Sequence, residues 1–259
     1  MTGADLVTHA AGAGVVVVVP TYNERENVEP LLRAVRAALP DADVLIVDDN
    51  SPDGTAAAAD AVGVELGRIE VLRRAEKNGL GSAYRAGFAL ALARDPDIVV
   101  SMDVDMSHDP AVLPQMLRML DAGADAVIGS RYVPGGATTD WPLHRRLLSR
   151  WGNRYTSFVL GLQLRDCTSG YRAYRVEALR AIEPATTSAE GYAFLTELVR
   201  RLIAQGYRVM ETPIVFADRR YGQSKMSGRI IAESMLLVTR WGARDLFACR
   251  TRARRGPSR

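Results

Sequence analysis

The chain of 259 residues is 47% hydrophobic and 24% charged, which is typical of a soluble globular protein with one large α/β domain or two small ones. Its two cysteines, Cys167 and Cys249, exclude a disulfide framework and favour a reducing, cytoplasmic compartment. The net charge of +3 is uneven, because residues 250–259 carry five arginines and no acid, which leaves about −2 on the rest.

The basic tail predicts either a disordered solubilising end or electrostatic attachment to anionic lipid, at roughly 1 kcal/mol per basic residue near the surface. Nucleic-acid binding is not expected, because no aromatic residues interleave with the arginines. The chain lacks a run of about 18 apolar residues, so no membrane-spanning helix is expected. A secretory signal has basic residues ahead of its apolar segment, and the apolar segment 15–19 has none. This segment is therefore interpreted as a buried strand.

Strand-like and helical patterns alternate through the first half of the chain. Strands are expected at 15–20, 43–49, 69–74, 97–103 and 125–130, and helices from about 27, near 55–66, near 81–93 and after an N-cap at Asp109 with Pro110. In the second half we expect a long amphipathic helix at 142–162, a strand at 167–175, a helix at 191–205, an extended segment at 207–220 and a final helix at 227–247. The alternation predicts a mostly parallel sheet flanked by helices in one domain, 15–247, between a flexible N-terminus, 1–14, and a disordered tail, 248–259.

Polar residues follow three of the predicted strands, in the segments PTYNE (20–24), VDDNSPDG (47–54) and MDVDMSHD (102–109). Ligands of open parallel sheets bind at the carboxyl edge, where the strand order reverses. The three segments therefore predict a shared site for a cation, or for an anion that carries a cation.

Asp103 and Asp105 are separated by one residue, so in a strand both carboxylates point the same way and repel each other. Mg²⁺ or Mn²⁺ would offset this repulsion, because these ions take carboxylate oxygens and bridge to phosphates. The alternative is that the pair caps the strand and faces water. His108, beside the pair, is expected to start a helix rather than to act in catalysis.

Other motifs carry less. The chain has no P-loop and no G-x-S-x-G elbow, and its three histidines are too far apart in sequence to predict a zinc site. The segment FADRRYGQSKMS (216–227) contains Arg219, Arg220 and Lys225, which would either close over phosphates or form an exposed basic loop.

Together the segments VVPTYNERENV, VDDNSPDGT, NGLGSAYRAGF, MDVDMSHDP, GSRYVPGG, SGYRAYR and DRRYGQSKM resemble the family 2 glycosyltransferases, over roughly residues 15–230. Within that family they look most like the dolichol- or polyprenol-phosphate mannose synthases of the single-domain type without transmembrane helices. The resemblance implies a GT-A fold and inverting transfer of mannose from GDP-mannose to polyprenyl phosphate, with Mg²⁺ or Mn²⁺.

The resemblance also assigns residues to the donor. The nucleotide base and ribose would contact Pro20, Tyr22, Glu24, Val47 and Asp49. The D-x-D of Asp103, Val104 and Asp105 would bind metal and diphosphate, with Ser107 as a weak further ligand and Arg219 and Lys225 as clamps on the diphosphate.

The acceptor phosphate would be held by Arg145 and Ser149, which lie four residues apart on the helix at 142–162, and by Arg131, placed between the donor and acceptor phosphates. That helix mixes Trp, Leu and Phe with arginines, as interfacial helices do, and an ordinary core-packing helix is the alternative. We expect the protein to bind the cytoplasmic face of the membrane peripherally, through its anionic lipid surface, with the need for a membrane-protein partner left open. Two rival functions stay open: UDP-glucose-dependent glucosylation of polyprenyl phosphate, and binding of a nucleotide sugar without catalysis.

Overall fold

A mostly parallel sheet forms the centre of the protein, for which a computed structural model describes residues 9–217 and 228–254. The strands are β1 (Val15–Thr21), β2 (Asp43–Asp48), β3 (Ile69–Arg73), β4 (Ile98–Ser101), β5 (Ala126–Ser130), β6 (Ala137–Thr138), β7 (Arg172–Arg175), β8 (Val209–Pro213) and β9 (Val215–Phe216). Seven of them form one sheet in the order β3-β2-β1-β4-β7-β5-β8, in which β7 alone runs antiparallel to its neighbours. The short strands β6 and β9 pair separately.

Helices cover both faces of this sheet. They are α1 (Arg25–Ala38), α2 (Thr55–Leu66), α3 (Leu80–Ala93), α4 (Leu113–Asp121), α5 (Leu143–Leu160), α6 (Val176–Ala181), α7 (Gly191–Ala204) and α8 (Gly228–Arg254). Within the described residues, no helix is both long and apolar enough to cross a bilayer.

The valine run of β1 explains the layered core. Val15, Val17 and Val19 pack with α1, α2 and α4 on one face, whereas Val16 and Val18 pack with α3, α6 and α7 on the other. Because successive side chains of a strand point to opposite faces, a strand buried on both faces must be apolar at every position. The predicted α/β class with a mostly parallel sheet is confirmed.

The order of the strands places the functional edge. From β1 the chain adds β2 and β3 on one side, and then β4 on the other side of β1. The crevice at the carboxyl ends of β1 and β4 is therefore the point where the strand order reverses, which is where ligands of such sheets bind. The predicted cap is also confirmed there, because Asp109 accepts a hydrogen bond of 2.9 Å from the backbone of Ala111 ahead of α4.

Several element bounds differ from the predictions. Helix α1 begins at Arg25, and β4 ends at Ser101 instead of extending to 103. The predicted strand at 167–175 shortens to 172–175, because side chains bind the backbone of the preceding loop, and Pro213 ends β8.

The final helix also departs from its predicted bounds. Helix α8 continues to Arg254, seven residues beyond the predicted domain end at 247, since the arginines and alanine of this segment favour a helix. Residues 255–259 lie outside the described part of the chain, so the disordered end and its binding of lipid stay predictions.

Helix α3 lies so close to the sheet that Gly87 has no room for a side chain. A Cβ atom there would lie 2.5 Å from Val18 and 2.9 Å from Val47. We therefore expect Gly87→Ala to lower the free energy of unfolding by about 1–3 kcal/mol, as overpacking does, measured by urea denaturation. The matched change Gly63→Ala in α2, where the nearest atom would be 3.4 Å away, should stabilise the protein by up to about 1 kcal/mol. Equal effects at the two positions would contradict this account of the packing.

Candidate active site

A cleft of about 550 Å³ opens at the carboxyl edge of the sheet, between the ends of β1, β2 and β4 and helices α3, α7 and α8. Seven of the residues assigned to the donor line it: Pro20, Tyr22, Glu24, Asp49, Asp103, Val104 and Asp105. The structure therefore brings together side chains that are up to 85 positions apart in sequence, as the strand ends predicted.

The two carboxylates of the D-x-D both reach this cleft. They do so from a loop, because β4 ends at Ser101, and not by the strand alternation that the sequence indicated. Asp105 is buried and accepts two hydrogen bonds from Ser107, at 3.1 Å from its backbone nitrogen and 2.5 Å from its hydroxyl. Ser107 is buried, does not line the cleft and orients Asp105, and its assignment as a weak further ligand stays a prediction.

His108 supports the other carboxylate, a role that the sequence reasoning missed. Its Nδ1 accepts a hydrogen bond of 3.1 Å from the backbone of Asp103, and its ring stacks on Tyr171 at 5.0 Å and meets Phe216 edge-on at 5.4 Å. Burial lowers the pKa of His108, so the ring is neutral and Nδ1 stays an acceptor. The only signal in the sequence was its position five residues after Asp103.

Another part of the cleft is lined by a carboxylate, that of Asp49, and by an ammonium group, that of Lys77. Asp49 pairs with Arg74, whose guanidinium also donates to Ser82 at 2.6 Å. Burial raises the pKa of Asp49, and Arg74 opposes that rise. Lys77, which sequence reasoning did not single out, lies with its Nζ 3.8 Å from the centre of the Tyr22 ring.

Val47 is the one described residue assigned to the nucleotide base and ribose that does not line the cleft. Its side chain is fully buried under α3, in the core face that it shares with Val18 and Phe88, and it does not line the cleft. The polar residues that follow Val47 in the same segment form hydrogen bonds: Asp48 accepts one from Thr21 at 3.0 Å and one from the Ser51 hydroxyl at 2.6 Å. The backbone turn after β2 is thereby fixed.

A second cavity of about 120 Å³ adjoins the cleft, and Ser234 of α8 lines both. Arg131, Arg145 and Ser149, the three residues assigned to the acceptor phosphate, all line this second cavity. Ser149 accepts a hydrogen bond of 2.6 Å from Tyr132, and the Arg145 guanidinium lies 4.0 Å from the centre of the Trp141 ring. Arg131 lines the second cavity and does not line the cleft, although it was also assigned to the donor.

Arg131 is held by a buried carboxylate that sequence reasoning also missed. Asp166 accepts hydrogen bonds of 2.7 Å from both Nε and Nη2 of Arg131, and one of 3.0 Å from its backbone nitrogen. Burial alone would raise the pKa of Asp166, but the charge and hydrogen bonds of Arg131 outweigh that effect and lower it. Thr168 accepts a further bond of 2.8 Å from Arg131.

The loop that supplies these partners is fastened from below by Arg172. Its fully buried guanidinium donates to the carbonyl oxygens of Cys167, Ser169 and Leu195 at 2.6–2.7 Å. At the top of the loop, a Cβ on Gly170 would lie 3.3 Å from Asp103, tighter than most contacts, so glycine lets the loop approach the carboxylate. One loop therefore contacts both Asp103 and Arg131.

Some assignments are not tested by this geometry. Arg219, Arg220 and Lys225 lie outside the described residues. Within the described residues, 9–217 and 228–254, no three histidine, cysteine, aspartate or glutamate side chains cluster closely enough to hold a metal ion by themselves.

Two curated proteins are similar to this chain over nearly its whole length. The polyprenol monophosphomannose synthase of Mycolicibacterium smegmatis is 46% identical over 243 residues, which cover 93% of this chain and 92% of that protein. The undecaprenyl-phosphate mannosyltransferase of Micrococcus luteus is 47% identical over 228 residues, which cover 88% of this chain and 93% of that protein.

Among solved structures, the fold is similar to that of glucosyl-3-phosphoglycerate synthase from Mycobacterium tuberculosis, in complex with Mn²⁺, uridine diphosphate and phosphoglyceric acid. The TM-score is 0.66 at 19% identity, and the match covers 91% of this chain and 81% of that one. The same enzyme has also been crystallised with Mg²⁺ and uridine diphosphate. This likeness confirms the predicted GT-A fold. Residues 16–183 match the family described as glycosyl transferase family 2, and with the two curated relatives this match shows that the chain belongs to that family.

Proposed function

We propose that the protein transfers mannose from GDP-mannose to the phosphate of a polyprenol, with inversion at the anomeric carbon. The observation that carries the proposal is that an acidic cleft adjoins a separate cavity in which Arg131, Arg145 and Ser149 meet. Such a pair of sites fits a donor that carries a cation and an acceptor that carries a phosphate. The two curated relatives, named for mannose and for polyprenol or undecaprenyl phosphate, support the choice of sugar and acceptor.

The residues of the cleft fit a divalent cation. Asp103 and Asp105 offer carboxylate oxygens, which Mg²⁺ and Mn²⁺ prefer, and the donor diphosphate would complete the coordination, as is usual for Mg²⁺. When bound, the ion offsets negative charge on the departing diphosphate. The chain's own contribution is the orientation of the carboxylates: Ser107 fixes Asp105, and His108 fixes the backbone of Asp103.

The acceptor needs little activation by the protein. A phosphate monoester has its second pKa near 6, so at neutral pH it is already about 90% dianionic and an oxygen is ready to attack. That oxygen forms a bond to the anomeric carbon as the bond to the diphosphate breaks and its electron pair leaves with GDP. The task of the protein is to hold two anionic substrates close together, which the cations of the second cavity perform.

The two arginines of this cavity differ in environment. The charge of Arg131 is largely offset by Asp166, so Arg131 serves the acceptor chiefly as a fixed hydrogen-bond donor. Arg145 lies on the more exposed helix α5, against the face of Trp141. Asp166 touches Arg131 and not the cavity, and it is therefore a positioning residue.

Helix α5 supports peripheral binding to a membrane surface. Of its 18 residues, all of them described, only Asn153 and Thr156 are buried, which does not fit an ordinary core helix. Its exposed side chains include Leu147, Trp151 and Phe158, the last 87% exposed, between exposed arginines 146, 150 and 154. Apolar and cationic side chains mixed in this way bind the boundary between lipid headgroups and acyl chains.

The reaction itself gives the first test of the proposal. With Mg²⁺ or Mn²⁺, the protein should transfer labelled mannose from GDP-mannose to polyprenyl phosphate, and transfer from UDP-glucose or UDP-GlcNAc should be much slower. Asp105→Asn should lower kcat/KM by about 100-fold or more, or about 2.7 kcal/mol. The control Asp43→Asn, which changes an exposed carboxylate paired with Arg68, should be as active as the unaltered protein. Faster transfer from UDP-glucose would favour the glucosyltransferase, and nucleotide binding without any transfer would favour the binding module.

The buried pair of Arg131 and Asp166 predicts a pH-dependent change in stability. Asp166→Asn leaves a buried guanidinium without its counter-charge, so the free energy of unfolding should fall by about 3–5 kcal/mol at pH 7. The pKa of Asp166 is lowered in the folded protein, so its stabilisation is present above the unfolded value of about 3.9 and is lost as the pH falls through the folded value. Urea denaturation should therefore show a constant difference between the two proteins above about pH 5 and a shrinking one below about pH 4. A difference that is independent of pH down to pH 2 would contradict the assignment.

Membrane binding is tested by replacing apolar side chains of α5. The double change Leu147→Ser and Phe158→Ser should weaken sedimentation with anionic vesicles about tenfold or more, because each large apolar side chain contributes about 1.5–3 kcal/mol when fully buried. Val64→Ser is the matched control, since Val64 is 90% exposed on α2, a helix with no part in the proposed surface. Equal losses in both variants, or none in either, would exclude α5 as the binding surface.

A further inference from the structure

The second cavity changes character from its inner end to its outer end. The inner residues, Arg131, Asn153 and Thr168, offer a guanidinium, an amide and a hydroxyl, and the first two are almost fully buried. The outer residues are apolar and more exposed: Leu148 is 47% exposed and Trp151 is 54% exposed. A ligand that fits this gradient has an anionic head followed by an apolar chain.

The space between helices α5 and α8 has the shape of a wedge. At its closed end, a Cβ on Gly242 would lie 2.5 Å from Val159, so the helices touch there. One turn earlier the Tyr155 hydroxyl meets the Thr239 hydroxyl at 2.7 Å. Towards the start of both helices the cavity separates them, with Gly152 on one side and Val238 on the other.

Gly152 has no packing reason to be glycine. It lies inside an 18-residue helix, where glycine is among the least favourable residues, and a Cβ added to it would meet no atom within 4 Å. This differs from Gly87 and Gly242, where a neighbouring side chain occupies the space. What a side chain at Gly152 would occupy is the cavity itself.

We propose that Gly152 keeps the wedge between α5 and α8 open for the first isoprene units of the acceptor, and so determines which phosphates bind. The inference rests on the proposed function and adds to it a specificity-determining position. The phosphate lies at the inner, polar end, and the chain leaves past Leu148, Trp151 and Met235 toward the exposed face of α5.

The test compares two phosphates by direct binding, without a sugar donor. Farnesyl phosphate carries three isoprene units, and methyl phosphate carries the head alone. Gly152→Leu should weaken the binding of farnesyl phosphate by about tenfold or more, the range expected for overpacking. Its affinity for methyl phosphate should stay within about twofold of that of the unaltered protein. Gly152→Ala should also weaken the binding of farnesyl phosphate, but less than Gly152→Leu does. Ala61→Leu, on an exposed position of α2, is the matched control and should change neither affinity.

Thermal unfolding and GDP binding show whether each variant is folded with an intact cleft. The inference is wrong if the Gly152→Leu variant binds farnesyl phosphate as tightly as the unaltered protein does. It is equally wrong if the variant loses the same factor of affinity for both phosphates. It is also wrong if the unaltered protein binds farnesyl phosphate no more tightly than methyl phosphate. Failure of mannosyl transfer would reject the proposed function separately, because the binding comparison does not depend on turnover.

Discussion

The buried guanidinium of Arg172 holds the loop on which both cavities depend. It has three backbone carbonyls as partners, from two different segments of the chain, in a place where an unsatisfied charge would be strongly unfavourable. The loop that it fastens lies against Asp103 at Gly170 and carries Asp166, the partner of Arg131. The positions of Asp103 and Arg131 are therefore set by the same short stretch of backbone.

This shared wall places two charged groups, the Asp105 carboxylate and the Arg131 guanidinium, within separate sets of hydrogen bonds. The Asp105 carboxylate accepts a hydrogen bond from the Ser107 hydroxyl, and the Arg131 guanidinium donates hydrogen bonds to Asp166. Under the proposed function, these partners hold Asp105 in the donor cleft and Arg131 in the acceptor cavity before either substrate binds. The proposed transfer requires such preorganised groups, because charges that are already fixed stabilise a transition state without reorganisation.

The sequence was informative where function depends on local pattern. Alternating apolar runs and their polar ends predicted the sheet, its carboxyl edge and the part of the cleft that the ends of β1, β2 and β4 supply, because strand ends in a parallel sheet must meet at one edge. The spacing of Arg145 and Ser149 likewise placed both on one face of α5. Val47, assigned by resemblance, is an exception, because its side chain belongs to the core.

The residues that were missed all depend on partners that are distant in sequence. Asp166 lies 35 positions from Arg131, and Arg172 binds Leu195 across 23 positions. His108 is close to Asp103 in sequence, but its orientation depends on Tyr171 and Phe216. No local pattern distinguishes such residues from ordinary surface charges or helix caps, since their partners are defined only by the folded sheet.

The antiparallel strand β7 has a consequence for the order in which the chain folds. Strands β1 to β4 bring together the carboxylate side of the cleft within the first 105 residues, and they pair with one another in the sheet. Strand β7 inserts between β4 and β5, some 70 and 45 positions later in the chain, so until it emerges from the ribosome the edge of β4 has no partner. A chain that ends before Arg172 therefore contains the carboxylates of the cleft but leaves a sheet edge open, and such edges favour aggregation.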